Sequence, residues 1–232
     1  MRRADAHSTM DETMQPEQPS VTRDFTATTF VVRGRRTLLL LHSPAGDEHE
    51  LLPLAQSLQP TAGILSPRGQ LDVEGSWRFF RRFAEGSCDL GDLQRRATQL
   101  ATFVAAAAAH YRFDSREVVA MGMADGALLA STLLLAWPDT LAGAVLFRGS
   151  VPGMPPKMPK LPSTPVLLAN GRFDPVVTAV ESDEVAALLR VAGANVTVAL
   201  QPAAQQLVHA DVEQARAWFT SCGTLRSPLR MS

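Results

Sequence analysis

The stretch Glu117-Val118-Val119-Ala120-Met121-Gly122-Met123-Ala124-Asp125-Gly126-Ala127, continued by an apolar segment to Ala136, decides the fold. Within Glu117 to Gly122 the residues from Val118 on form a short unbroken apolar run, without the polar alternation of a strand that wets one face. It reads as a strand covered on both sides. Gly126 to Ala136 follows almost at once and reads as a helix. A buried strand feeding directly into a helix is the unit of a parallel sheet, whose strands need long crossover connections.

The same unit recurs outward in both directions. Thr28 to Val32, Arg36 to Leu41, Ala62 to Ser66, Ala142 to Phe147, Pro165 to Asn170 and Val196 to Leu200 read as further strands. Glu48 to Leu58, Leu90 to His110, Ala179 to Val191 and Asp211 to Thr220 have the longer helical period. Strand and helix taking turns in this way predict right-handed crossovers and a doubly wound, mostly parallel sheet with helices on both faces, an α/β class. Pro152 to Pro165 holds six prolines in fourteen residues, so it is neither helix nor central strand and is expected to wrap over the edge of the sheet. Residues 1–24 are polar and nearly devoid of apolar side chains, which reads as a disordered tail. One α/β domain over 25–222 follows, with a short tail at 223–232.

Composition narrows the function classes. The chain has 232 residues, 46% of them hydrophobic, and a formal net charge of -1 with acidic and basic residues interspersed. No basic face points to nucleic acid or an anionic membrane surface. The polar N-terminal region lacks the apolar core of a secretory signal, and the apolar runs break short of a membrane span, so no membrane insertion is expected. Cys88 and Cys222 form neither a CxxC motif nor a metal-ligand cluster. They read as free, reduced thiols of a cytoplasmic protein that needs no metal or cofactor.

In such a sheet, ligands bind beyond the carboxyl ends of the strands. Four loops lie there: His42-Ser43-Pro44-Ala45-Gly46-Asp47 after the leucine run Leu38 to Leu41, Gly122-Met123-Ala124-Asp125-Gly126, Asn170-Gly171-Arg172-Phe173-Asp174-Pro175, and Gln201-Pro202-Ala203-Ala204-Gln205-Gln206-Leu207. Taken with Leu51-Leu52-Pro53-Leu54, Leu65-Ser66-Pro67-Arg68-Gly69 and Arg78-Phe79-Phe80-Arg81-Arg82, they resemble the phospholipase/carboxylesterase family of α/β-hydrolases, which includes the acyl-protein thioesterase-like bacterial enzymes. The resemblance runs in order from about Thr37 to Phe219 and implies an α/β-hydrolase fold.

The same resemblance implies where a catalytic triad would sit. The family's nucleophile elbow reads Gly-x-Ser-x-Gly. Here Gly122 and Gly126 stand, but the apex is Ala124. The acid position is filled by Asp174. Matching through Leu207 puts Gln205 where the family has its general-base histidine, and a glutamine amide cannot take up a proton near neutral pH. It can donate a hydrogen bond, which is expected to satisfy Asp174. The family's His-Gly-x segment, whose x residue offers a backbone N–H to an oxyanion, is His42-Ser43-Pro44 here, and proline has no N–H. Trp77, Phe79 and Phe80 are implied as lining or support for the pocket, each also fitting plain core packing.

Three changes in three separate loops point to a non-catalytic pseudo-esterase that binds a small acyl or aromatic ligand, or a partner. Two alternatives remain open. One is an active hydrolase with relocated chemistry, using Asp125 or His209 together with Asp174. Asp125 is otherwise an acidic residue favoured at a helix start, and His209 an exposed residue before a helix. The other alternative is a protein–protein module, a homodimer or the binder of another chain, whose Pro/Met-rich loop offers an adaptable apolar surface.

Overall fold

The four leucines Leu38 to Leu41 are all buried, and they divide between two cores, Leu39 and Leu41 on one side and Leu38 and Leu40 on the other. Successive side chains of a strand point to opposite faces, so this segment requires cover above and below. The computed structural model supplies it, and describes residues 25, 27–31, 34–44 and 46–225. The tail expected at 1–24 and the part of the C-terminal tail past 225 lie outside the described residues.

The elements are β1 (Ala27–Val31), β2 (Thr37–Leu41), α1 (Leu52–Leu58), β3 (Gly63–Pro67), β4 (Leu71–Val73), β5 (Ser76–Arg78), α2 (Leu90–Tyr111), β6 (Val118–Met123), α3 (Asp125–Ala136), β7 (Gly143–Phe147), β8 (Pro165–Gly171), α4 (Ala179–Val191), β9 (Asn195–Gln201) and α5 (His209–Leu225). The main sheet has seven strands in the order β1-β3-β2-β6-β7-β8-β9, with β1 antiparallel and the remaining neighbours parallel. Leu100, Leu129 and Leu189 bring α2, α3 and α4 onto one face, while Leu58, Trp218 and Phe219 bring α1 and α5 onto the other. This is the α/β-hydrolase arrangement. After β2 the chain crosses to β3 on one side, and β6 then pairs on the other. The crevice between the carboxyl ends of β2 and β6 is where a doubly wound sheet takes its ligands.

Four details differ from the sequence-based expectation. Helix α1 starts at Leu52 instead of Glu48, since Pro53 is tolerated only in a first turn and so fixes the start just before itself. Helix α5 begins at His209 and runs through Leu225, beyond the expected end at Thr220. The small β4–β5 hairpin was not anticipated. Its turn places Glu74 at φ 53° and Gly75 at φ 82°, a pair of left-handed residues of the kind that closes two-residue hairpins, but Glu-Gly lacks the Asn-Gly or Asp-Gly signature. Finally, the proline-rich segment joins the neighbouring interior strands β7 and β8, so it does not wrap over the sheet's edge. It lies against α2 and the end of α3, with Leu161 buried and its N–H donated to Ala192 O. Proline's missing N–H groups deny this crossover the helix that usually fills one.

Cys88 and Cys222 are both free thiols. Among the described residues no helix is long and apolar enough to cross a membrane.

Candidate functional site

Strand β6 passes into α3 through one residue, Ala124, at φ 50° and ψ -110°. A non-glycine residue at positive φ is strained and persists only where its surroundings over-determine it. Here the Ala124 N–H donates to Phe147 O at 2.9 Å, and its carbonyl accepts from Leu128 N at 2.9 Å. The flanking glycines explain the rest. A Cβ on Gly126 would collide with the carbonyls of Leu41 and His42, and one on Gly122 with the backbone of Gly126 and Ala127. Strand and helix thus approach more closely than any side chain would permit. Asp125 is the first residue of α3, and its N–H has no partner inside the helix.

Ala124 opens onto a cavity of about 560 Å³. Ser43, Pro44, Asp125, Asp174 and Gln205 share its wall, so the structure gathers most of the residues singled out from sequence. Asp174 is 5% exposed and follows the carboxyl end of β8. The loops after β8 and β9 are stitched by Arg172 N to Gln201 O at 2.7 Å and Phe173 N to Ala203 O at 3.0 Å. One carboxylate oxygen of Asp174 accepts from Val176 N at 2.8 Å and Val177 N at 3.2 Å. The other, Oδ2, is buried and has no hydrogen-bond partner among the described residues. The expected bond from Gln205 is not made. Gln205 is exposed, where water competes for its amide, and the two backbone N–H groups of its own loop set the pose of the carboxylate.

His42 is buried away from the cavity. Its Nε2 accepts from Gly69 N at 2.9 Å and its Nδ1 lies 2.7 Å from Ser43 O, a pair that fits the neutral tautomer with the proton on Nδ1. Burial pushes its pKa below the usual value, against the Ser43 carbonyl and the neighbouring acids Glu50, Asp47 and Glu48. The Ser43 N–H and hydroxyl both donate to Glu50, at 2.6 and 2.8 Å. Pro44 borders the cavity with no N–H to give.

Of the two relocated-chemistry candidates, Asp125 is buried and gripped by both the Nε and an Nη of Arg82. His209 is exposed at the start of α5 and is not part of the cavity wall. The aromatic trio also needs correcting as a pocket lining. Phe79 and Phe80 are 1% and 0% exposed in the core below, where Phe79 packs on the His42 ring at 4.4 Å. Trp77 lies on the outer hairpin beneath the Arg68 guanidinium, 4.9 Å away. Alternation along β5 turns Arg78 to the cavity instead of its aromatic neighbours.

Arg78, Arg82 and Arg148, which sequence reasoning passed over, supply much of the wall. Arg148 ends β7 at φ 53° with 3% exposure, and its fork grips Asp211 at 2.7 and 3.2 Å while also donating to the carbonyls of Ala169 and Gln206. Arg82 also donates to Gly86 O at 2.7 Å. The Arg78 guanidinium makes no ion pair or hydrogen bond among the described residues, and its Nε is buried without a partner. The signal for Arg148 was available, because a charge placed directly after the apolar strand Gly143 to Phe147 must be buried and paired.

No protein-family model matches the chain. A Bacillus subtilis (strain 168) protein named "Putative hydrolase MhqD" is 38% identical over 182 residues, 78% of this chain and 91% of that protein. The crystal structure of a Bacillus cereus carboxylesterase superposes with a TM-score of 0.83 at 37% identity, covering 88% of this chain and 97% of that one. YahD, solved with malic acid, superposes with a TM-score of 0.79 at 25% identity, covering 84% and 98%. With glycine-flanked elbow, strand order and four carboxyl-end loops all in place, the chain belongs to the phospholipase/carboxylesterase, acyl-protein thioesterase-like, family of α/β-hydrolases.

Proposed function

We propose that this chain is a non-catalytic member of its family that binds a small organic ligand in the cavity beside Ala124. The observation that carries the proposal is the residue at the elbow apex: the strained turn that would present a nucleophile presents a methyl group. Two further features support it. Among the described residues no histidine borders the cavity, so the imidazole base of the family's triad has no counterpart there. The position that would add an N–H to an oxyanion hole is Pro44. Asp125, the nearest carboxylate to the apex in sequence, is committed to Arg82 and poorly placed to attack.

A cavity of about 560 Å³ falls within the usual range for small-molecule sites. Its apolar part, including Met123, Leu128, Val176 and Val177, suits an acyl or aromatic body. The malic acid held by YahD supports a small organic acid as the kind of molecule that this scaffold accommodates. The test is turnover of short p-nitrophenyl esters together with labelling by fluorophosphonates. The purified chain is expected to match its heat-denatured control in both. Turnover or labelling that disappears on Asp125→Asn would overturn the proposal in favour of relocated chemistry.

A further inference from the structure

We infer that the ligand of this cavity is an organic anion that also carries a hydroxyl or ammonium donor on an apolar body, with Arg78 holding the anionic group and Oδ2 of Asp174 receiving the donor. The inference rests on the binding function proposed above and names the class of molecule bound.

Three guanidinium groups line the cavity, and two already hold carboxylates, although the Nε of Arg148, like that of Arg78, is buried without a partner among the described residues. Arg82 is held by Asp125 and Gly86 O, and Arg148 by Asp211, Ala169 O and Gln206 O. Arg78 alone has no carboxylate partner among the described residues. Its Nε is shut away from water and bonded to nothing. A planar guanidinium in that state is satisfied best by a carboxylate or a similar oxyanion, which it meets through two parallel N–H donors. Its position is built in. Arg78 pairs with Leu71 across the hairpin, and Gly69 packs so tightly against the Arg78 carbonyl that no Cβ fits between.

Asp174 makes the complementary demand. It is 95% buried by its 5% exposure, one oxygen takes two backbone N–H groups, and Oδ2 takes none. A buried carboxylate oxygen left in this way accepts a hydroxyl or ammonium donor and rejects another acceptor. Gln205 stands on the same wall, exposed and with no side-chain hydrogen bond among the described residues, so it is free to move aside for the incoming group. The cavity is larger than two polar contacts require. Leu128, Val176 and Val177 are left to pack against an apolar body.

Three phenyl compounds separate these demands. 3-Phenyllactate has anion, donor and ring, 3-phenylpropionate lacks the donor, and 3-phenylpropane-1,2-diol lacks the anion. Titrated calorimetrically into the full chain, 3-phenyllactate is expected to bind about tenfold or more tighter than either of the others. Arg78→Gln should bring 3-phenyllactate down to the affinity of the diol, and Asp174→Asn should erase its advantage over 3-phenylpropionate, with each variant checked by thermal melt. Should Asp174→Asn fail to fold, the three-ligand comparison on the unaltered chain decides alone. Equal binding of the three compounds, unchanged binding in Arg78→Gln, or no binding of any of them overturns the inference. Saturable binding of 2-naphthol in that last case would leave the proposed binding function standing, whereas ester turnover would remove it.

Discussion

At Ala124 the backbone bears the strain of a nucleophile elbow without a hydroxyl to display. Ser, His and oxyanion donors act as a unit, so restoring one alone returns little. Ala124→Ser is expected to stay inert, because nothing beside it takes its proton. Ala124→Ser with Gln205→His should give weak ester hydrolysis, since the free Oδ2 of Asp174 is positioned to receive an imidazole N–H that the glutamine does not supply. Adding Pro44→Thr returns a backbone donor and should raise the rate by roughly ten to a thousandfold. Rates across the series, each variant checked for folding by its melt, test this. A folded triple variant as inactive as the parent would show that the wall of this cavity has departed from esterase geometry. Ala124, Asp174, Gln205 and Pro44 were singled out in the sequence because each falls in a loop whose motif resembles the family's. Arg82 was not, because its meaning depends on a carboxylate 43 positions away, Asp125, and for Arg148 the place after β7 signalled a buried charge without naming its partner Asp211, 63 positions on.

At the level of elements, the approach of α3 to the central sheet depends on two missing side chains. Gly126→Ala would drive a Cβ into the carbonyl of Leu41, a backbone atom in the middle of the sheet that has nowhere to go. A loss of about 3 kcal/mol in chemical-denaturation stability is expected. An unaltered midpoint would mean that α3 can slide on the sheet. Five of the seven main strands, β2, β3, β6, β7 and β8, were readable because burial on both faces leaves apolar runs such as Leu38 to Leu41, and the helices were readable as longer segments between the strands. The β4–β5 hairpin escaped notice for the opposite reason. Its strands are half-buried or exposed and only three residues long, too short for the alternation in Leu71-Asp72-Val73 and Ser76-Trp77-Arg78 to stand out, and backbone angles at Glu74 and Gly75 make the turn.

For the molecule as a whole, acid sensitivity should include a contribution from His42. Burial holds this imidazole neutral and lowers its pKa from 6.5, and its Nε2 accepts from Gly69 only while unprotonated. Unfolding frees the ring to ionise at its ordinary pKa, so the unfolded chain binds the proton more readily. The associated stability is therefore present in full above pH about 6.5 and falls away as the pH drops through the lowered folded value. Urea midpoints measured from neutral pH down to about 5 should decline less steeply for His42→Gln than for the parent over that window. Parallel slopes would assign the acid loss to carboxylates instead.

The helix-free crossover from Phe147 to Pro165 leaves the polypeptide with a natural seam. Lys157 is exposed on it, midway between the two strands and short of the buried Leu161, so a protease can enter without first unravelling a helix. On each side stands a substantial fragment, one ending with β7 and the other opening with β8. The two remain joined by the β7–β8 ladder and by the grip of Arg148 on Asp211, neither of which passes through the cut. The same strap is accordingly where this scaffold can be divided into two co-expressed halves that reassemble.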